Sequence, residues 1–124
     1  MPVERVSVTE AAAKVIDRLR DKHGELMFHQ SGGCCDGSAP MCFMVGDFRL
    51  GSRDLYMGDI HGCRFYMEAA QFEYYKNSHT IVDVVEGRGS SFSLEIPLGL
   101  RFLIRSRLFT AEELSDVRAV VAAT

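Results

Sequence analysis

Three of the four cysteines fall within residues 29–42, HQSGGCCDGSAPMC, and the fourth ends the short stretch HGC at residues 61–63. Thiolates are the soft ligands that suit zinc, copper(I) and iron–sulfur clusters, and imidazoles suit zinc and iron. The residue types therefore predict a metal site. The candidate ligands are Cys34, Cys35, Cys42, His61 and Cys63, with His29 as a further imidazole donor.

The residues around the first two cysteines indicate a tight loop. The glycine pair at residues 32–33 frees the backbone just before the thiols, and the Asp-Gly pair at residues 36–37 is a turn signal. Such a loop can direct several thiols toward one point. Structural zinc sites usually space their cysteines as C-x₂₋₄-C, whereas these cysteines are adjacent or seven positions apart. A role as small core residues therefore stays open for Cys42 and Cys63.

Other thiol chemistry is also open to this loop. A disulfide between Cys34 and Cys35 would close a strained ring, and strained bridges are easily reduced. The chain has no C-x-x-C motif, which removes support for a thioredoxin-like mechanism. A cysteine nucleophile would need a histidine to accept its proton, and no family-specific signature surrounds His29 or His61. An enzyme is therefore the less favoured interpretation.

Composition narrows the class of protein. The 124 residues fit one domain, residues 1–124, and 47% hydrophobic with 25% charged residues is typical of a globular chain. The net charge of -3 argues against a nucleic-acid-binding domain, and no apolar run reaches the roughly 20 residues of a membrane span. The N-terminal MPVERVSVTE lacks the apolar region of a signal peptide. These features predict a cytoplasmic protein with reduced thiols.

The hydrophobic pattern predicts an α+β chain. Apolar residues at helical spacing indicate an amphipathic helix over residues 7–22, with Ser7 and Glu10 at capping-box spacing, Thr9 as a rival cap and Gly24 as the stop. ELMFHQ and MCFMVGD read as strands on either side of the cysteine loop. DLYMGDIHG and CRFYMEA are short apolar segments separated by turn residues, and QFEYYKN fits one or two helical turns.

The C-terminal third predicts a hairpin, an edge strand and a helix. TIVDVVEG and SSFSLEI, joined by GRG, read as the two strands of the hairpin. LRFLIRSRLF follows as a further extended stretch, with RFLIRSR typical of an exposed edge strand. TAEE at residues 110–113 is a second capping box, which opens a helix through about residue 122.

Residues 6–37, VSVTEAAAKVIDRLRDKHGELMFHQSGGCCDG, resemble the opening of the HesB-like A-type iron–sulfur carriers, and a weaker likeness continues to residue 97. The resemblance implies a HesB-like β-rich fold, with strands and hairpins between an N-terminal and a C-terminal helix. It also maps the first ligand cysteine of the carriers onto Cys34. The carriers add a C-terminal Cys-Gly-Cys, where this chain has PLGLRFLIRSRLF without cysteine or histidine. A zinc or iron ion is therefore favoured over an iron–sulfur cluster.

The whole chain is similar to a bacterial family, the domain of unknown function 779, in its SGGCCDGSAPMC loop, its FYM segment and its FSLEIPLGLRFL tail. Members of that family are often encoded beside aldehyde dehydrogenases, which implies an accessory role in aldehyde oxidation. We therefore expect a small cytoplasmic metal-binding protein that assists an aldehyde dehydrogenase, assembled as a homodimer. The alternative is an interaction module that docks on the dehydrogenase through LRFLIRSRLF without a metal.

Overall fold

The computed structural model describes residues 3–30, 40–87, 94–117 and 120–122. These residues contain three helices and eight strands, and the strands form two sheets. The elements in chain order are β1 (Val6–Val8), α1 (Glu10–His23), β2 (Leu26–Gln30), β3 (Met41–Met44), β4 (Asp54–Ile60), β5 (Cys63–Glu68), α2 (Ala69–Tyr75), β6 (Ser78–Glu86), β7 (Leu100–Leu108), α3 (Ala111–Asp116) and β8 (Val121–Ala122). The predicted α+β class is confirmed. None of the helices in these ranges is long and apolar enough to cross a membrane.

The two sheets differ in size and strand order. The smaller sheet has the order β1-β6-β7, with β1 parallel and β7 antiparallel to β6. The larger has the order β3-β2-β5-β4-β8, in which only the central pair β2 and β5 is parallel. Among the described strands, β7 therefore lies at an edge, as its sequence predicts.

Helix α1 begins at Thr9, whose hydroxyl oxygen accepts a hydrogen bond from the backbone N–H of Ala12 at 3.2 Å. The predicted cap Ser7 is wrong, because Ser7 is part of β1, where it pairs with β6 and its hydroxyl meets the His79 ring at 2.7 Å. Gly24 ends the helix as predicted. Its φ of +85° suits glycine, and its N–H donates to the Arg20 carbonyl at 2.8 Å.

The main core lies between the two sheets and α1. The helix buries Ala12, Val15, Ile16 and Leu19. The rings of Phe28 in the larger sheet and Phe102 in the smaller sheet meet edge to face, with centroids 5.0 Å apart and planes at 83°. Both side chains are fully buried, and burial of a phenylalanine of this kind stabilises a fold by about 2–3 kcal/mol. This contact joins the sheets.

The predicted hairpin of TIVDVVEG with SSFSLEI is wrong in its described part, because β6 pairs with β7 instead. Strand β6 pairs along its whole length with β7, from Ser78 opposite Leu108 to Glu86 opposite Leu100. Residues 94–95 form a turn and residues 96–98 a 3₁₀ turn, while residues 88–93 lie outside the described ranges. The nine-residue β6–β7 ladder places Phe102 in the core, which the shorter pairing would not do.

The terminal helix is shorter than predicted. Its start is confirmed: the Thr110 hydroxyl accepts from the Glu113 N–H at 3.1 Å, and the Glu113 carboxylate accepts from the Thr110 N–H at 3.0 Å. The helix ends at Asp116, because Val117 takes an extended conformation. Residues 121–122 then pair with β4 as β8. Valine favours strands over helices, which accounts for the early end.

Candidate functional site

The two faces of the larger sheet separate the predicted ligands. Cys42 lies opposite Phe28, and Phe28 lies opposite Phe65, so all three share one face. Cys63 is two residues before Phe65 on β5 and therefore points to the same side, which is the face that packs into the core. His29 follows Phe28 and points to the opposite face. We call these the inner face and the outer face of the larger sheet.

Cys42 is fully buried beside a buried carboxyl group. The Leu94 N–H donates to the Cys42 carbonyl at 3.1 Å, which brings the adjacent Glu95 alongside. Glu95 is 1% exposed, and its carboxylate accepts from the Phe102 N–H at 3.0 Å. Burial raises the pKa of the Cys42 thiol well above its ordinary value, and the charges of Glu95 and Cys63 raise it further. The thiol is therefore neutral at physiological pH in the described surroundings.

Cys63 lies at the other end of the inner face, next to a guanidinium. Arg20 of α1 donates to the Cys63 sulfur at 3.1 Å. Burial raises the pKa of the Cys63 thiol, and the hydrogen bond and charge of Arg20 oppose that rise. Strands β3 and β5 flank β2, so the α-carbons of Cys42 and Cys63 lie about 10 Å apart across the sheet and about 7 Å apart along it. That separation excludes a disulfide between them and is too wide for one ion to bridge.

His61 occupies the turn between β4 and β5, where its φ is +47°. Its Nε2 lies 2.8 Å from an Asp17 carboxylate oxygen, and its carbonyl accepts from Arg20. The ring is 37% exposed, outside the core that holds Cys42 and Cys63. Asp17 orients the ring on the surface, so His61 is engaged with α1 and not with Cys42.

Cys34 and Cys35 lie in residues 31–39, outside the described ranges. The chain enters that segment from Gln30 and leaves it at Pro40, both fully buried. Gln30 is on the inner face, and its amide donates to the Gln71 side chain at 3.3 Å. Among the residues that are described, no group of three or more histidine, cysteine, aspartate or glutamate side chains is arranged to hold a metal ion.

The outer face carries a buried pair that the sequence analysis did not identify. The His29 Nε2 lies 2.6 Å from an oxygen of Asp54, and both side chains are at least 90% buried. The other Asp54 oxygen accepts from the Gly51 N–H at 2.7 Å. The Phe48 ring covers His29, with centroids 4.4 Å apart. Sequence reasoning could propose His29 as an imidazole donor but had no signal for Asp54, which lies 25 residues away.

Glu95 is the second residue that the sequence analysis missed. It stands in LEIPL, where a charged residue between apolar neighbours was a usable signal for a buried carboxylate.

The search of curated proteins found no match for this chain. The model of the family described as "Domain of unknown function (DUF779)" matches residues 15–108, which is most of the chain. The chain therefore belongs to the DUF779 family.

Proposed function

We propose that this protein binds a zinc or iron ion at one end of the inner face. That end holds Gln30 and Pro40, the residues that flank 31–39. The proposed ligands are the thiolates of Cys34, Cys35 and Cys42 and the carboxylate of Glu95. The observation that carries the proposal is the fully buried Cys42 thiol beside the fully buried Glu95. Cys42 is three residues beyond the segment 31–39, which holds the other two thiols.

The electrostatics around Cys42 and Glu95, at this end of the inner face, favour a cation. The Cys42 thiol and the Glu95 carboxyl group are buried together, and burial disfavours the charged form of the thiol. A divalent ion reverses that balance for Cys42, because a coordinated thiol loses its proton outright. Thiolate and carboxylate are ordinary ligands of zinc and iron.

Chain connectivity supports the contribution of the two loop cysteines. Cys34 is four residues beyond Gln30, and Cys35 is five residues before Pro40. A segment of five residues spans at most about 18 Å, so the chain is long enough for both thiols to reach Cys42. The resemblance to the A-type carriers agrees, since it maps their first ligand cysteine onto Cys34.

Two predicted ligands are left out of the proposed site for a physical reason. The Cys63 sulfur already accepts a hydrogen bond from Arg20, and a metal ion there would meet the positive guanidinium at close range. The ring of His61 is held by Asp17 on the protein surface. Cys63 therefore serves as the control in the test of the site.

The test is metal analysis of protein purified without oxygen and reconstituted with zinc or ferrous iron. We expect about one equivalent of metal in the wild type and in Cys63→Ser, and a loss of most of it in Cys34→Ser, Cys35→Ser and Glu95→Gln. Circular dichroism establishes that each variant is folded. Negligible metal in the wild type, or equal metal in every variant, would contradict the proposal.

We further propose that the metal protein assists an aldehyde dehydrogenase by protecting or maturing its catalytic thiol. The support is the resemblance described above, in which family members are encoded beside such enzymes. The test is co-expression with an aldehyde dehydrogenase from the same genome. The free thiol content and activity of the dehydrogenase should be higher with the wild type than with the Cys34→Ser, Cys35→Ser double variant.

A second candidate function is docking without a metal, and the exposed end of β7 favours it. In the part of the chain that the structure describes, no strand pairs with the outer edge of β7, and Leu108 is 76% exposed there. An open edge of this kind accepts a further strand. Co-purification with the dehydrogenase that survives loss of Cys34 and Cys35 but not Leu108→Asp would favour docking. Sedimentation of the isolated protein tests the expected homodimer.

A further inference from the structure

A cavity of about 490 Å³ opens on the outer face of the larger sheet, on the opposite side from the side chains of Cys42 and Cys63. Its floor is formed by Met27, Arg64 and Tyr66, which share the outer face of β2 and β5. Phe48 and Leu50, from the connection between β3 and β4, form one wall. The volume lies in the range of small-molecule sites.

The wall of this cavity is fixed by contacts of several kinds. Phe48 stacks on Phe43 with centroids 4.8 Å apart and covers His29 at 4.4 Å.

Hydrogen bonds fix the rest of the connection between β3 and β4. An Asp54 oxygen accepts from the Gly51 N–H at 2.7 Å, and the Val45 N–H donates to the Glu25 carbonyl at 3.0 Å. The connection is therefore attached at its start, middle and end, so the cavity is formed before a ligand arrives.

Two guanidinium groups and one carboxylate stand at the cavity. Arg20 is held there by its hydrogen bonds to the Cys63 sulfur and the His61 carbonyl. Arg64 lies over the Tyr56 ring, 5.7 Å from its centroid. Among the described lining residues, Glu25 supplies the one carboxylate, so their net charge is +1. The polar groups thus favour an anion.

Gly62 makes room for one of these guanidinium groups. Its φ of +82° belongs to the left-handed region, which favours glycine. A Cβ at this position would lie only 3.3 Å from Nη2 of Arg20. The turn between β4 and β5 therefore keeps the space that the Arg20 head group occupies beside the cavity.

We propose that this cavity binds a small organic acid with an apolar body, such as a medium-chain carboxylate. The apolar chain would lie on Met27, Phe48 and Leu50, and the carboxylate would meet Arg64, whose planar guanidinium matches a carboxylate in two parallel hydrogen bonds. Arg20 adds positive charge from the other side. The site is separate from the proposed metal site, so each can fail without the other.

The test is calorimetric titration of the full-length protein with octanoate and with octan-1-ol, which has the same length but no charge. We expect octanoate to bind at least about tenfold more tightly than the alcohol, and Arg64→Met to weaken octanoate by about tenfold. The matched control is Arg18→Met, an exposed arginine on α1 that does not line the cavity. It should leave the affinity unchanged.

A second readout locates the ligand and does not depend on a variant. In protein labelled with ¹³C on its methionine methyl groups, octanoate should shift the Met27 signal and leave Met67, on the inner face, in place. Equal binding of octanoate and octan-1-ol would overturn the proposal. So would equal effects of Arg64→Met and Arg18→Met, or no shift of Met27 at millimolar octanoate.

Discussion

The inner and outer faces of the larger sheet carry different chemistry although they are built from the same strands. On the inner face, Phe28 and Cys42 are buried among apolar side chains, with Gln30 and the nearby Glu95 as buried polar groups. On the outer face, His29 and Asp54 form a buried pair under Phe48, next to an open cavity. Because side chains alternate along a strand, residues adjacent in sequence take part in different sites. Closeness in sequence between His29 and the cysteines therefore does not place them together.

The largest difference between the faces is expected for their phenylalanines. Phe28→Ala removes a fully buried ring that joins the two sheets, and we expect it to lower the free energy of unfolding by about 4 kcal/mol. Phe43→Ala, on the neighbouring strand, removes a half-buried outer-face ring and should lower it by about 1–2 kcal/mol. Urea unfolding followed by circular dichroism measures both. Equal losses would show that the outer face is a second core of the same strength.

The next effect concerns the buried pair of the outer face. Asp54→Ala leaves His29 and the Gly51 N–H without their common acceptor, so we expect the free energy of unfolding to fall by about 3 kcal/mol. Asp54→Asn keeps an oxygen acceptor and should lose less. The control is Asp59→Ala, on the same strand but exposed, where a loss within about 1 kcal/mol is expected. If both alanine variants lose equally little free energy of unfolding, the buried His29–Asp54 pair stabilises the fold no more than an exposed carboxylate does.

A smaller effect separates the two inner-face thiols. Arg20 opposes the rise in the pKa of Cys63, whereas Glu95 adds to the rise at Cys42. Since the thiolate is the reactive form, iodoacetamide should modify Cys63 at least about tenfold faster than Cys42 in chelator-treated protein at pH 8. Peptide mass spectrometry over time gives the two rates. Arg20→Met should slow Cys63 alone, and an unchanged Cys63 rate in that variant would contradict the assignment.

Local patterns were sufficient to predict much of the fold. The Thr110 capping box, the Gly24 stop and the strands on either side of the cysteine loop depend on residues close in sequence, and all are confirmed. The β6–β7 pairing was missed because partner choice depends on which strand buries Phe102, a contact with Phe28 across 74 positions. Turn residues alone favoured the shorter hairpin.

The candidate site was predictable only in part, for a related reason. Cys42 and Cys63 could be recognised by residue type, but their separation across β2 follows from strand order, which one sequence does not encode locally. The same holds for Asp54 beside His29, and for Arg20 beside Cys63. Cys34 and Cys35 lie outside the described residues, so their role remains a prediction.

The smallest expected effect on stability concerns Glu113, near the start of α3, which lies on neither face of the larger sheet. Glu113 accepts hydrogen bonds from Arg107 and from the Thr110 backbone, which hold the pKa of its carboxyl group down to about 2. A glutamate in the unfolded chain titrates near pH 4.3, so its contribution to stability is full above that pH and disappears as the pH falls toward 2. The difference in unfolding free energy between wild type and Glu113→Gln should therefore close between about pH 4.5 and 2. A Glu113→Gln difference that stays constant at low pH would contradict the pairing with Arg107.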